Sequence, residues 1–180
     1  MISKKIDPED YFISSDLNPN NKSYIYGEIN PHCLLHILQT LFDPDSALEF
    51  VDIGSGCGRT LEYIHQHLPY VLHGIEIDIN RYEKAIALFE HMDMYDRIDC
   101  TNGDFRDIYF GTYDIVYCCN CVFEDNENNA LYLKLLGEFK GTALLFEYNH
   151  ILLPFLTNTY TVNTSWHISV PLYIFNFSKN

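Results

Sequence analysis

Three glycines alternate with other residues in the segment 51–58, directly after a short apolar strand and directly before a helical pattern. They are Gly54, Gly56 and Gly58. Glycine has no Cβ, so the backbone at these positions can turn tightly and come close to a ligand. The free N–H groups at the start of the following helix can bind polar ligand atoms. The spacing and residue types therefore predict a ligand site at this turn.

An acidic residue, Asp52, precedes the first of these glycines by two positions. The glycine spacing differs from the G-x-G-x-x-G pattern of dinucleotide-binding turns, and a carboxylate here would repel a pyrophosphate. It suits a ligand with a positive or neutral centre, such as the amino-acid part of S-adenosylmethionine. Glu76 follows the next predicted strand, 18 residues past Gly58, where an acid can accept hydrogen bonds from ribose hydroxyls. Ile77 would then flank an adenine.

A third acid and an aromatic residue follow the third predicted strand. Asp104 can accept a hydrogen bond from the adenine amino group, and Phe105 can stack on the ring. In open α/β sheets, ligands bind at the edge formed by the carboxyl ends of the strands. Asp52, Glu76 and Asp104 are therefore expected on one rim, around a nucleoside that carries a sulfonium group.

Strands and helices must alternate to place these acids together, and the hydrophobic pattern has that alternation. It predicts helices over 31–42, 60–68, 80–92 and 129–139, and strands over 48–53, 70–75, 98–101, 113–119 and 142–148. This order requires a parallel sheet with right-handed crossovers. Two further strands, 160–166 and 172–177, predict an antiparallel hairpin at one edge. We expect a single domain over 1–180, with an arm and helix (1–45) covering the cofactor and an α/β core (46–180).

Composition restricts the partners and the location. The formal net charge of −14 disfavours direct binding to nucleic acid or to anionic lipid and is compatible with a basic protein or peptide. No apolar run reaches the roughly 18 residues of a membrane span, and the first residues lack the apolar core of a signal peptide. The six cysteines do not have the spacing of a disulfide framework or of a zinc site. These features predict no bound metal and a cytoplasmic location, or a nuclear one in a eukaryotic host.

The ordered motifs Val-Asp-Ile-Gly-Ser-Gly-Cys-Gly, Gly-Ile-Glu-Ile-Asp and Asn-Gly-Asp-Phe together resemble the seven-stranded, class I S-adenosylmethionine-dependent methyltransferases. More particularly, the chain resembles the non-SET histone lysine methyltransferases of the disruptor-of-telomeric-silencing type. The Tyr-Gly-Glu segment that starts at Tyr26, the Ser165-Trp166 pair and the later Tyr173 add to this likeness. It implies a doubly wound, mostly parallel seven-stranded sheet of the Rossmann-like methyltransferase fold with a C-terminal antiparallel hairpin. It also implies S-adenosylmethionine as cofactor and a protein lysine as target.

The resemblance and the motifs assign roles to particular residues. The expected catalytic residues are Asn120, Tyr173 and Tyr26, and the expected substrate channel contains Phe123 and Trp166. The expected cofactor contacts are Glu28, Asp52, Gly54, Ser55, Gly56, Cys57, Thr60, Glu76, Ile77, Asp104, Phe105 and Cys119.

One motif departs from the family pattern. Where the family has Asn-Asn-Phe-x-Phe, residues 119–123 read Cys-Asn-Cys-Val-Phe. Cys119 replaces the asparagine that contacts the cofactor in the family, and a shift of one residue would give that role to Asn120. Two alternatives remain open at this point. One is a methyltransferase for a small molecule or another side chain, and the other is an inactive, cofactor-binding partner subunit.

Overall fold

The structure is a computed structural model that describes residues 27–178. Tyr26, one of the expected catalytic residues, lies outside this range. The helices are α1 (Pro31–Leu41), α2 (Arg59–His65), α3 (Ile79–Met92) and α4 (Asp125–Glu138). The strands are β1 (Glu49–Ile53), β2 (Val71–Glu76), β3 (Ile98–Asn102), β4 (Ile115–Cys118), β5 (Thr142–Leu145), β6 (Leu156–Val162) and β7 (Val170–Asn176).

The strands form one seven-stranded sheet in the order β3-β2-β1-β4-β5-β7-β6. The first five in this order are parallel, and β7 pairs antiparallel with both β5 and β6. The strand order reverses between β1 and β4, which is where open α/β sheets form their ligand crevice. The predicted fold class, a mostly parallel seven-stranded sheet with an antiparallel C-terminal hairpin, is confirmed.

Alternate residues of the central strands enter two separate cores because the sheet is covered on both faces. Phe50 packs with the apolar faces of α1, α2 and α3. Val51 and Ile53 point to the opposite face and pack with Leu131 and Leu135 of α4. This double coverage makes the central strands nearly continuous in apolar sequence, and it leaves their carboxyl ends as the open edge.

The C-terminal hairpin differs in register from its prediction. The first strand of the hairpin was expected over 160–166 but is β6 (Leu156–Val162), so Trp166 lies in the connection to β7 and not in a strand. This connection is joined to the start of the described chain by an isolated bridge between Ile29 and Thr164. Because β6 is the edge strand, most of its side chains are exposed, and it lacks the alternation that sets register in the sequence.

Two other boundaries also moved. Helix α4 begins at Asp125, four residues earlier than predicted, because Glu124 and Glu127 form a capping box at its start. Strand β5 ends at Leu145, three residues earlier than predicted. Within residues 27–178, no helix has the length and apolar character needed to cross a membrane.

The central position of β5 gives a direct test of the fold. Leu144 is fully buried in the core on the α1 side, so Leu144→Ala removes packed methyl groups and should lower the free energy of unfolding by about 2–5 kcal/mol. Leu133 on α4 is 65% exposed, and Leu133→Ala should change stability by less than about 0.5 kcal/mol. Urea denaturation of both variants measures the difference, and equal effects would contradict this arrangement of the core.

Candidate active site

The glycine turn between β1 and α2 has the backbone conformation that its residue types predict. Gly54, Gly56 and Gly58 have φ values of 79°, 58° and 79°, which lie in the left-handed region that side chains with a Cβ rarely adopt. The Gly54 N–H donates to the Ile75 carbonyl over 2.8 Å. A Cβ at Gly58 would come within 2.5 Å of the Phe89 ring. The turn is therefore held against both β2 and α3.

Glu76 links this turn to the following helix. Its Oε2 accepts a hydrogen bond from the Gly56 N–H and its Oε1 accepts one from the Asp78 N–H, both over 2.8 Å. Asp78 in turn caps α3 by accepting from the N–H groups of Asn80 and Arg81. Burial raises the pKa of Glu76 even though the two backbone N–H groups oppose that shift. A carboxylate has about four acceptor positions, so Glu76 can still accept hydrogen bonds from the hydroxyl groups of a ligand in the cavity.

Asp52, at the end of β1, is 3% exposed. Burial raises its pKa well above the ordinary value, and the negative charges of Glu28 and Glu76 raise it further. Three carboxyl groups thus influence one another at a single place in the fold. Ionised carboxylates that are buried together are destabilising unless a cation neutralises them. These three carboxyl groups therefore fit the positively charged ammonium and sulfonium groups of S-adenosylmethionine.

A cavity of about 600 Å³ opens at this edge of the sheet. Several of the residues predicted from the sequence line it, namely Gly54, Glu76, Ile77, Asp104, Phe105, Cys119, Phe123 and Trp166. The acid at the end of β2, the acid after β3 and the aromatic residues of the C-terminal half therefore face one space, as the motif order predicts.

Other predicted cofactor residues lie behind this lining. Asp52, Ser55, Gly56, Cys57 and Thr60 are all buried. The Ser55 hydroxyl is 3.7 Å from the thiol of Cys100. None of these five residues lines the cavity, whereas Gly54 of the same turn does.

Glu28 is held in place through its backbone. Its N–H donates to the Ser165 hydroxyl over 3.0 Å, and its carbonyl accepts from the Ser165 N–H over 2.8 Å. The segment before α1 is thereby tied to the β6–β7 connection. Direct contact between Glu28 or Asp52 and the cofactor stays a prediction.

Two expected catalytic residues lie away from the cavity lining. Asn120 is fully buried, and its Oδ1 accepts from the N–H groups of Phe146 and Glu147 over 2.9 and 3.0 Å. Its Nδ2 donates to the Glu147 carbonyl over 2.9 Å and to Asn128 Oδ1 over 2.6 Å. These bonds join the end of β4 to the end of β5. Asn120 is therefore placed to position the strand ends, and its amide is engaged within the protein.

Tyr173 lies on β7 opposite Leu145. Its ring packs edge-to-face on Tyr148, with ring centroids 4.7 Å apart, and it is not among the residues that line the cavity. A catalytic role for Tyr173 stays a prediction, as does one for Tyr26.

Four residues of the lining, Arg81, Arg106, Cys121 and Glu127, were not among the site residues expected from the sequence. Arg106 lines the cavity and pairs with Asp104, and its Nε is 2.9 Å from both carboxylate oxygens. These hydrogen bonds hold the pKa of Asp104 below its ordinary value. Arg81, Cys121 and Glu127 also line the cavity. The position of Arg106 two residues after Asp104 was the only signal that could have indicated this pair.

Aromatic rings close the cavity at two places. The rings of Phe105 and Phe123 are nearly parallel, with centroids 5.6 Å apart. Trp166 lies directly on Gly27, where an added Cβ would come within 2.6 Å of the indole. The indole centroid is also 6.0 Å from that of Phe146. The segment before α1 and the β6–β7 connection therefore meet across the cavity, and only a glycine at position 27 permits this contact.

Solved structures with the same fold include several methyltransferases. An RNA methyltransferase from Salinibacter ruber, in complex with S-adenosyl-L-homocysteine, aligns with a TM-score of 0.66 at 17% identity over 84% of this chain and 94% of its own. Geranyl diphosphate C-methyltransferase from Streptomyces coelicolor aligns with a TM-score of 0.53 at 13% identity, over 63% of this chain and 45% of its own. Phosphoethanolamine N-methyltransferase 2 from Haemonchus contortus, in complex with S-adenosyl-L-methionine, aligns with a TM-score of 0.52 at 18% identity, over 63% of this chain and 27% of its own. At sequence identities this low, the similarity to these structures shows a shared fold and does not show a shared substrate.

Strand order, glycine turn and acid-lined cavity together define the class I, Rossmann-like methyltransferases. Residues 50–138 match the family described as methyltransferase domain, and a search of curated proteins found no significant match. This match and the shared fold indicate a methyltransferase domain of the class I, Rossmann-like type over residues 50–138, with S-adenosylmethionine as its cofactor. The solved relatives are named for RNA, geranyl diphosphate and phosphoethanolamine, so the class alone does not define the acceptor.

The buried carboxyl group of Asp52 should favour cofactor binding at the expense of stability. Asp52→Asn removes a negative charge beside the cationic cofactor, and its affinity for S-adenosylmethionine should fall roughly 10- to 100-fold, as expected for a hydrogen bond to a charged group. Asp45→Asn, at an exposed loop position, is the matched control and should bind normally. Isothermal titration calorimetry measures both, and an unchanged affinity in Asp52→Asn would remove this carboxylate from the site.

The raised pKa of Asp52 also predicts a pH dependence of stability. A carboxyl group with a raised pKa in the folded protein binds more protons there than in the unfolded chain, so its contribution to stability is lost as the pH rises. In the cofactor-free protein, the contribution of Asp52 to stability should therefore decrease from about pH 4 upward, so the stability of the parent relative to Asp52→Asn should fall as the pH rises. Urea denaturation at a series of pH values measures it. A steeper decline in Asp52→Asn than in the parent would contradict the assignment.

The contact between Gly27 and Trp166 can be followed by fluorescence, because Trp166 is the only tryptophan in the sequence. Gly27→Ala places a methyl group where the indole lies, so the indole should move toward water and its emission should shift to longer wavelength. Gly137→Ala, where an added Cβ meets nothing within 4 Å, should leave the emission unchanged. An identical spectrum in Gly27→Ala would show that the two segments do not meet.

Proposed function

We propose that this chain transfers the methyl group of S-adenosylmethionine to the side-chain amine of a lysine in a basic protein. The observation that carries the proposal is the composition of the cavity lining, which combines aromatic faces with carboxylates. Phe123 and Trp166 supply aromatic faces outside the expected cofactor contacts, and Glu127 supplies an acid. Such a lining suits an alkylammonium group that must lose water and still be attracted to the site.

The charge of the whole chain supports a cationic acceptor. At a net charge of −14, the protein attracts basic polypeptides and repels RNA and DNA, whose phosphates need clustered Lys and Arg. The two arginines in the lining, Arg81 and Arg106, lie close to acids: Arg106 pairs with Asp104, and the charge of Arg81 acts on Glu76. They therefore do not form an exposed basic surface for a nucleic-acid backbone.

The chemistry needs a neutral amine close to the methyl donor. When bound, S-adenosylmethionine supplies an electrophilic methyl group on a good leaving group. The protein's task is to orient the amine in line with that methyl group, and proximity of this kind can contribute roughly 7–11 kcal/mol. Desolvation by the aromatic lining, together with the nearby positive charge of the cofactor, lowers the pKa of a lysine amine and releases its proton to water. The same aromatic faces can then hold the methylammonium product.

The likeness to the non-SET lysine methyltransferases supports the same acceptor. Trp166 and Phe123, the two residues expected in the substrate channel, both line the cavity. Asn120 is used within the protein, so the proposal depends on the aromatic lining and the acids and does not require an asparagine at the methyl-transfer site.

Methyl transfer from tritium-labelled cofactor tests the acceptor. We expect label in lysines of basic proteins such as histones, identified by amino-acid analysis, and none in RNA or in small amines. Trp166→Ala should lower kcat/KM for the protein acceptor at least about tenfold, because it removes an aromatic face of the channel. Leu153→Ala, at an exposed site outside the lining, is the control.

Two other outcomes would favour the alternative functions. Label in RNA or only in small molecules would overturn the lysine proposal and leave the class intact. Cofactor binding without transfer to any acceptor would favour a non-catalytic subunit.

A further inference from the structure

Two thiols face the cofactor cavity from the end of β4. Cys119 and Cys121 both line the cavity, and both are only partly buried. They flank Asn120, whose side chain points into the protein and is bonded to the end of β5. This bonded asparagine holds the backbone between the two cysteines, so both thiols are presented to the same space.

The two thiols interact with each other and are not equivalent. A hydrogen bond between them lowers the pKa of Cys121, while the same bond, together with burial, raises the pKa of Cys119. The thiolate is the reactive form of cysteine, and redox-sensitive cysteines are accessible, have a low pKa and have a second thiol beside them. Cys121 has the properties of the attacking thiol, and Cys119 those of the resolving one.

Chain geometry allows the two sulfurs to be joined. Residues two apart in sequence have Cα atoms separated by at most about 7 Å, and Cα atoms linked by a disulfide are usually about 4.4–6.8 Å apart. The peptide around Asn120 would have to adjust to bring the sulfurs to bonding distance. Disulfides in distorted geometry are the more easily reduced ones, so such a bond suits reversible control.

We propose that Cys119 and Cys121 are a reversible dithiol–disulfide site whose oxidation prevents cofactor binding. The oxidant is a peroxide. The Cys121 thiolate attacks one peroxide oxygen and breaks the O–O bond, which yields a sulfenic acid and hydroxide. The Cys119 sulfur then attacks the Cys121 sulfur, the S–S bond forms, and the sulfenic oxygen leaves as water with the Cys119 proton. The hydroxide takes up the proton that Cys121 released when it became a thiolate, so two thiols and one hydrogen peroxide give one disulfide and two waters.

The position of the pair connects its oxidation to the cofactor. Cys118, the preceding residue, pairs with Ile53 across the sheet, and Ile53 directly precedes the glycine turn. Cys119 therefore lies beside the turn that approaches the cofactor. Closing the disulfide moves the backbone around Cys119 and strains the hydrogen bond that the Phe146 N–H donates to Asn120 Oδ1. The Phe146 ring packs against Trp166. Both sides of the cavity are affected by one bond.

The other cysteines lack these features. Cys57, Cys100 and Cys118 are buried, and burial raises the pKa of Cys100 to about 11. Cys33 is partly buried on α1 and does not line the cavity. Cys33 therefore serves as the control position.

The test treats the purified chain with hydrogen peroxide and measures two quantities, the mass of the cysteine-containing peptides and the affinity for S-adenosylhomocysteine. We expect a peptide two hydrogens lighter, with fragment ions that assign the bond to Cys119 and Cys121. Affinity should fall about tenfold or more and return with dithiothreitol. Cys121→Ser should form no such bond and bind equally well before and after peroxide. Cys33→Ser should respond like the parent chain.

Either of two results would overturn the proposal: peroxide produces no bond between these two cysteines, or the bond forms and the affinity is unchanged. If Cys121→Ser loses its circular dichroism signature of folding, Cys121→Ala takes its place in the comparison. Neither measurement involves a methyl acceptor, so this test and the test of lysine methylation can fail independently.

Discussion

The hydrogen bonds that the N–H groups of Gly56 and Asp78 donate to the carboxylate of Glu76 hold the site together. Through them, one buried side chain connects the glycine turn after β1, the end of β2 and the start of α3. Each of these segments would otherwise leave backbone N–H groups unpaired at an edge of the sheet. The same carboxylate lines the cavity, so the group that organises the turn is also available to the ligand.

The cofactor site works against the stability of the empty protein. Asp52 is buried near Glu28 and Glu76, and the pKa of Asp52 is raised by burial and by both neighbouring charges. A cationic ligand relieves this repulsion, so cofactor binding stabilises the folded protein. Arg106 has a parallel role beside Asp104, since their hydrogen bonds keep that carboxylate ionised. Electrostatics therefore favours the cofactor before any contact with an acceptor.

Closure of the cavity depends on segments that are far apart in sequence. Trp166 lies on Gly27, and Ser165 bonds to the backbone of Glu28. This contact needs the antiparallel β6–β7 hairpin, because that connection returns the chain to the segment before α1. One side of the cavity is thus built by the ends of the described chain, whereas the glycine turn and the acids that follow β2 and β3 come from its centre.

The sequence by itself determined the glycine turn, the acids at Glu76 and Asp104, and the alternation of strands and helices. These are local patterns, because a glycine turn or an acid at a strand end can be recognised from neighbouring residues in the sequence, whatever the rest of the chain does. It did not determine that Asn120 turns inward while Cys121 faces the cavity, that Arg106 pairs with Asp104, or that β6 begins at Leu156. Those outcomes depend on neighbours supplied by other strands, such as Phe146 and Glu147 for Asn120. Side-chain direction at a strand end is decided by tertiary hydrogen bonds, because no repeating backbone pattern continues there to set it.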